Sequence, residues 1–429
     1  MYIATAPPLA AGLGARPVDT TVRMRLRYGV NIGDRWRDVV FGSADAVFAR
    51  LQDAGTELVR VFVDDFDRPV ADGWPACSRL LDWLLRSGAT PMIAIAQPSA
   101  GRDRQVVRDF AGRCGEFIDR CCELWGTETV AAWYWSIGDE PNSPWTNEGL
   151  TFEGFKDIYE VVAQTIHERL GRAGRRVRTG GPCIDGFQPF WFEWAWRFID
   201  EIDPSMIAFV AWNRYGDWRE VGTWSAPTDP GVFSRLLLSR TAEYWSRCEA
   251  LRTVLAGKDI LNICSELNAH SHSEAAISAR FNQTMFGAVY YASALIELMR
   301  GGADGEFLWA GACAHGPYAA VTDTGDTTPT YQAKRLIAQH VRFGSRLAFP
   351  LDSDPDSAWD ALVARDDAGD RAAVLIHRAC APGSIELGRW PELTGFSEAI
   401  SPTRDGSDVI HAECREIVAM DGYGLAILR

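Results

Sequence analysis

The chain carries ten cysteines but no CxxC pair and no regular cysteine spacing. That removes the signature of a zinc ribbon or a disulfide framework and points to scattered, reduced thiols. It has no uninterrupted run of the roughly eighteen apolar residues that a membrane-spanning helix needs. Its opening, MYIATAPPLAAGLGARPVDT, lacks a basic segment ahead of the mild apolar stretch, so no secretory leader is expected and a cytoplasmic location is. Positive charge is also short: 43 Lys and Arg face 57 Asp and Glu, for a formal net charge of -14. A surface of that sign repels a phosphate backbone unless a basic stripe is set aside for it. The densest basic run, Arg172 to Arg178, falls between a helical and a strand pattern and reads as a solvated turn. Neither nucleic acid nor a membrane is therefore expected as a partner. The first apolar run continues into VNIGDRW with no GxGxxG, which excludes the usual dinucleotide fingerprint, and no cofactor is expected.

Core-forming material is plentiful. Hydrophobic residues make up 47% of the chain and charged residues 23%, the balance of a globular protein. A length of 429 residues exceeds one usual domain and suggests a large domain with a smaller companion. Seventeen tryptophans are many for this length. An indole stacks well on the apolar face of a sugar ring, although a large core accommodates it equally well.

From residue 26 onward, short apolar runs alternate with longer amphipathic stretches. Strands are expected over 27–33, 57–65, 90–97, 130–138, 177–182, 206–216, 259–269 and 305–312. Helical spacing follows each of them, over 41–55, 75–88, 106–125, 152–171, 189–202, 230–256, 277–302 and 330–344. Eight such units demand a parallel sheet with helical crossovers, and eight strands close a barrel. The expected fold is thus of the α/β class, a (β/α)8 TIM barrel over 26–344. After 345 the pattern changes to short strands, two of them joined by an Asp/Gly turn at 361–379 and a terminal pair at 416–429. This reads as a small C-terminal antiparallel accessory domain, sandwich-like, over 345–429. Residues 1–25 form an N-terminal extension, whose TVRMRLR (21–27) is placed either to add a strand to that domain or to lead into the barrel.

Functional side chains of such barrels sit at the C-terminal ends of the strands. The fourth strand ends in WSIGDEPN, bringing Asp139, Glu140 and Asn142 to the mouth; the seventh ends in ICSELNAH, bringing Glu266, Asn268 and His270 there. Two glutamates facing each other across a barrel suit hydrolysis of a glycosidic bond with retention. One carboxylic acid protonates the leaving oxygen while the other carboxylate attacks the anomeric carbon, at a separation of about 5–5.5 Å.

These two motifs, with PTYQAKRL leading into the eighth helix, FVAWNRYG on the sixth strand and the closing DGYGLAILR, resemble the large clan of retaining glycosidases with catalytic glutamates on strands four and seven. Within that clan the chain is most similar to glycoside hydrolase family 39, which holds β-xylosidases and α-iduronidases. The resemblance covers nearly the whole chain in architecture. It implies that Glu140 is the acid/base and Glu266 the nucleophile of a double displacement on a carbohydrate substrate; the lack of an expected secretory leader favours exo-action on small glycosides over attack on a polymer. It further implies that Arg60 stabilises the Glu266 carboxylate, that Tyr215 hydrogen-bonds the nucleophile, and that Trp309 forms a platform under the sugar in subsite -1.

Two positions depart from that pattern. Asp139 stands where the clan carries Asn; Asn donates to the sugar 2-hydroxyl, whereas an ionised Asp only accepts. Asn213 stands where the family carries His, and it keeps hydrogen bonding but loses titration. Together they point to an unusual glycone or to a carbohydrate-binding pseudoenzyme on the same barrel. Trp145, on the loop after Glu140, is a candidate aglycone platform. Gln97 and the Asp34-Arg35 pair end the third and first strands and are positioned to contact substrate, and His270 is counted with them. His270 and His272 also form an HxH pair, the seed of a rival reading as a metal-dependent hydrolase, without a matching cluster among only seven histidines. The plain structural readings compete at each position: a surface charge for either glutamate, an internal ion pair for Arg60, core packing for Tyr215 and Trp309, and a loop cap for Asp139.

Overall fold

The computed structural model describes residues 22–32, 44–63, 70–98, 103–144, 150–217, 230–271, 275–312, 317–322, 324–351 and 358–429. After a two-residue strand, β1 (Val22–Arg23), come eight parallel strands: β2 (Arg27–Ile32), β3 (Leu58–Phe62), β4 (Thr90–Ile95), β5 (Tyr134–Ile137), β6 (Arg178–Asp185), β7 (Phe209–Asp217), β8 (Leu261–His270) and β9 (Gly305–Ala312). Each pairs with the next, and β9 closes on β2, completing the barrel that the periodicity predicts.

Side-chain alternation decides what points into the barrel. On β3, Val59 and Val61 join the apolar layer beneath the helices, while Leu58 joins the barrel interior with Met92, Tyr134, Phe209, Ile263 and Phe307. Arg60, two residues beyond Leu58, therefore shares its inward face and sits one level nearer the mouth.

The outer ring contains α1 (Ala44–Asp53), α2 (Val70–Arg86), α3 (Arg104–Trp125), α4 (Thr127–Ala131), α5 (Phe152–Leu170), α6 (Trp191–Glu201), α7 (Pro230–Ser239), α8 (Ala242–Leu255), α9 (Ala275–Asn282), α10 (Met285–Gly301) and α11 (Pro329–His340). Side-chain caps start several of them. Asp103 accepts from the backbone of Gln105 and Val106 ahead of α3, Thr151 from Gly154 at α5, and Thr328 from Tyr331 at α11.

Two expected helices are each broken in two. The stretch 230–256 divides between α7 and α8 because the Leu238 carbonyl is taken by Thr241 Oγ1 at 2.7 Å and by Arg378 of the C-terminal sheet at 2.6 Å. With that acceptor engaged, the helical ladder stops. The stretch 277–302 divides between α9 and α10 just after Asn282, whose side chain pairs with the His270 backbone at 2.9 and 2.8 Å. The fourth strand is also shorter than expected, since Thr127–Ala131 is helical.

Beyond the barrel lie β10 (Arg346–Ala348), β11 (Trp359–Arg365), β12 (Arg371–His377), β13 (Gly383–Glu386), β14 (Glu398–Pro402), β15 (Val409–Glu413), β16 (Ile417–Met420) and β17 (Gly424–Leu428). The main antiparallel sheet runs β1-β10-β11-β12-β17-β14-β15, so the N-terminal strand does pair with β10. The two last strands are not partners of each other, contrary to expectation: β16 pairs with β13, while β17 lies between β12 and β14. Gly422, at φ 89, turns the chain between the two sheets.

The central strands of the main sheet, β11, β12 and β17, are buried on both faces. Leu362, Val374, Ile376, Leu425 and Ile427 pack into the same apolar cluster as the barrel helices, whereas Val363, Leu375, Ala426 and Leu428 pack with Ile385 and Leu387 on the far side. The C-terminal domain thus shares a core with the barrel. No described helix is long and apolar enough to cross a membrane.

Candidate active site

The mouth of the barrel gathers polar residues that apolar strands deliver one by one. The chain leaves β5 through Gly138 at φ 89, where an added Cβ would lie 2.6 Å from the Phe155 ring. Glu140 follows at φ 46, in the left-handed region that costs a non-glycine residue about 1–3 kcal/mol. Hydrogen bonds hold it there: its N–H donates to the Cys183 carbonyl at 3.0 Å, and its carbonyl accepts from Ser143 N–H at 2.9 Å. Asn142 ties the same turn to the end of β6, donating to the Asp185 carbonyl at 3.0 Å and accepting from its N–H at 2.8 Å.

Glu266 comes from β8 and is gripped on both oxygens. Arg60 Nη1 donates to Oε1 at 2.6 Å, and the Tyr215 hydroxyl donates to Oε2 at 2.5 Å. The Arg60 guanidinium is fully buried and packs on the Phe62 ring, 4.4 Å from its centroid. Its second nitrogen, Nη2, donates to Asp139 Oδ1 at 2.7 Å, and Nη1 also reaches Asn31 Oδ1 at 3.2 Å.

Glu140 is met by an amide. Asn213 Nδ2 donates to its Oε1 at 3.1 Å, and Asn213 Oδ1 accepts from Ser265 Oγ at 2.7 Å, which orients the amide. Asn213 thus reaches Glu140 from the position at which the family resemblance implies histidine.

The electrostatics follow from these partners. Burial, then the nearby Glu266, Asp185 and Asp139 carboxylates, push Glu140 well above the usual carboxylate range, and the Asn213 bond offsets only part of that. Burial and Asp139 also lift Glu266, to about 7, against the pull of Arg60 and Tyr215. A cation and a hydroxyl donor sit on Glu266, and a neutral amide on Glu140. The proton that the pair shares at neutral pH therefore belongs on Glu140.

The remaining expected residues fall as follows. Trp309 is half-buried within β9 and stands edge-on to Phe62, with centroids 5.5 Å apart. Asn268 donates to its carbonyl. Gln97 is spent on the backbone: its amide donates to the Asp139 carbonyl at 3.0 Å and accepts from the Asp139 N–H at 2.7 Å. His270 is fully buried and stacked on Phe281, so it presents no surface to the cleft. Trp145, Asp34, Arg35 and His272 lie outside the described residues. Among the described residues no group of three or more His, Cys, Asp and Glu is arranged to hold a metal ion.

Several contributors carry no motif of their own. Asn31, on an inward position of β2, braces both Arg60 and the Ser265 carbonyl, the latter at 2.9 Å. Ser265 orients Asn213, and Asp185 adds negative potential beside Glu140. A lone polar residue at an inward, otherwise apolar strand position is the signal that marks Asn31. Asp185 lies past the expected end of the fifth strand.

No family model matches the sequence, and no curated protein matches it by sequence. Solved structures do match in three dimensions. A family 39 β-xylosidase from Caulobacter crescentus superposes with a TM-score of 0.64 at 14% identity, covering 96% of this chain and 97% of that one. A family 51 arabinofuranosidase from Xanthomonas axonopodis pv. citri gives 0.65 at 11% identity, over 96% and 97% of the two chains. A 4-O-α-L-rhamnosyl-β-D-glucuronidase from Fusarium oxysporum 12S gives 0.61 at 10% identity, over 97% and 98%. Likeness at these identities establishes a shared architecture, a (β/α)8 barrel with a C-terminal β-domain. It is the architecture that the resemblance to glycoside hydrolase family 39 implies.

Proposed function

We propose that the protein is a retaining O-glycosidase in which Glu266 is the nucleophile and Glu140 the acid/base. One observation carries the reading. Two carboxylates at one barrel mouth are given different surroundings: a guanidinium and a phenol donate to Glu266, while Glu140 takes the Asn213 amide and is pushed well above the usual range by burial and its carboxylate neighbours. Double displacement asks for that asymmetry, an ionised attacker and a protonated donor.

In the first step Glu140 gives its proton to the glycosidic oxygen while a Glu266 oxygen bonds to the anomeric carbon and the bond to the leaving group breaks. In the second, ionised Glu140 takes a proton from water, whose oxygen bonds to the anomeric carbon and releases Glu266. Arg60 and Tyr215 stabilise the carboxylate that departs in that step. Trp309 supports the sugar ring by its apolar face. The chemistry needs no cofactor. Exo-action on small glycosides, in the manner of a β-xylosidase, fits the architecture that the chain shares with such enzymes.

Asp139 and Asn213 favour a second reading, a carbohydrate-binding pseudoenzyme, because they stand where the family carries Asn and His. Proton NMR of aryl β-glycoside hydrolysis separates the two. A first-formed β-anomer supports the glycosidase, a first-formed α-anomer refutes retention, and binding without turnover supports the pseudoenzyme.

A further inference from the structure

Asp139 is held more firmly than any step of double displacement requires. Its backbone N–H and carbonyl are both clamped by Gln97, at 2.7 and 3.0 Å, and its Oδ1 accepts from Arg60 at 2.7 Å. The side chain nevertheless stays 24% exposed, and among the described residues no donor reaches Oδ2. The partner of a buried guanidinium is a carboxylate, so Oδ2 is a fixed acceptor with nothing to give.

Its distance from the reacting carbon follows from Arg60. One guanidinium bridges Glu266 Oε1 and Asp139 Oδ1, so the two carboxylates lie side by side, one fork-width apart. If Glu266 lies under the anomeric carbon, Asp139 lies beside an atom next to that carbon. The anomeric carbon has two ring neighbours, the ring oxygen and C2. The ring oxygen has no hydrogen to donate, so of the two neighbours only a substituent on C2 can satisfy Asp139.

Charge then narrows its chemistry. Asp139, Glu266 and Asp185 all lie close enough to Glu140 to act on it electrostatically. Among the described residues the one cation in contact with Asp139, Glu266 or Asp185 is Arg60, which has no surface open to a ligand. An ammonium group entering here would meet a fixed acceptor in a negative field.

We infer that Asp139 is a specificity-determining residue that selects a glycone with a free amino group on C2, a 2-amino-2-deoxy sugar, over the matching 2-hydroxy sugar. The inference rests on the glycosidase reading for the position of the sugar, and it assigns the substrate class of that same site.

The test compares kcat/KM for 4-nitrophenyl 2-amino-2-deoxy-β-glycosides and their 2-hydroxy counterparts, in the gluco, galacto and xylo series, on wild type and Asp139→Asn. Wild type is expected to favour the amino glycoside by at least about tenfold in one series, because an ammonium forms an ion pair with the Asp139 carboxylate whereas a hydroxyl offers it an uncharged donor. Asp139→Asn is expected to abolish or invert that ratio, since its amide nitrogen donates to a hydroxyl. The wild-type preference is also expected to fall as pH rises through the ionisation of the substrate amine. A wild-type ratio near or below one in every series overturns the inference, and that comparison needs no folded variant. An unchanged ratio in folded Asp139→Asn also overturns it and leaves Asp139 as a structural partner of Arg60. If no aryl glycoside is cleaved, the glycosidase reading fails separately, and calorimetric binding of the matching phenyl 1-thio-β-glycosides decides the selectivity. Amine-selective binding that Asp139→Asn loses retains Asp139 as the selector in a binding protein; absent or unselective binding overturns it.

Discussion

Tyr215 donates its hydroxyl to Glu266 Oε2 at 2.5 Å, from the neighbouring barrel strand. With Arg60 on the other oxygen, it is what keeps a buried carboxylate, lifted to about 7, from moving higher still.

The first prediction is a pH profile shifted toward the alkaline side. Glu266 must be ionised to attack, so kcat/KM rises with pH through about 7. Glu140 must be protonated, and burial with its acidic neighbours holds it well above the usual range, so the rate falls only at higher pH. Tyr215→Phe removes one charge-assisted bond, worth about 1.5–3 kcal/mol, so the rate drops roughly 10- to 100-fold and the acidic limb moves upward. Initial rates from pH 5 to 10 on both proteins check this, and an unmoved limb in the variant counts against the assignment.

A second prediction concerns stability. Glu266 has a folded-state pKa raised above its unfolded value, so its favourable contribution is complete below the unfolded pKa and is lost as pH rises through about 7. Above that pH the ionised carboxylate is a burden on the fold. Glu266→Gln is therefore expected to melt higher than wild type at pH 9, by at most about 3 kcal/mol less what Arg60 loses as a partner. Near pH 5 the advantage is expected to vanish, and calorimetric melts at both values test it.

Gln97 offers a third. The sequence suggests a substrate contact, yet the structure gives its amide to the Asp139 backbone. Gln97→Ala is expected to lower kcat about tenfold with KM nearly unchanged, by loosening the turn that aims Glu140. A rise in KM alone would restore the substrate-contact reading.

Away from the site, Lys334 on α11 donates to Glu306 Oε1 at 2.5 Å, with both side chains fully buried. Lys334→Met strands the carboxylate and is expected to cost about 3–5 kcal/mol in urea unfolding. Adding Glu306→Gln is expected to recover much of that loss, and strictly additive losses would show that the two side chains do not act as a pair.

These outcomes also show where legibility stops. Apolar periodicity reveals all eight barrel strands, because parallel strands are buried on both faces and keep their pattern whatever surrounds them. Strand ends then locate Glu140 and Glu266, and inward parity with Leu58 puts Arg60 beneath them. The break between α7 and α8 is not legible, because it depends on Arg378, which lies far along the chain and caps Leu238. The separation of β16 from β17 is set by partners outside their own segment. Asn31, Ser265 and Asp185 are single polar residues whose meaning comes only from what they touch.

The most direct test is intact-protein and peptide mass spectrometry after incubation with a panel of 2-deoxy-2-fluoro glycosyl fluorides, on wild type and Glu266→Gln. The account predicts that wild type gains the mass of one fluorosugar on the peptide bearing Glu266, and that the variant gains none. A label on another residue, or an equal label on Glu266→Gln, would contradict the assignment of the nucleophile on which the proposed mechanism depends.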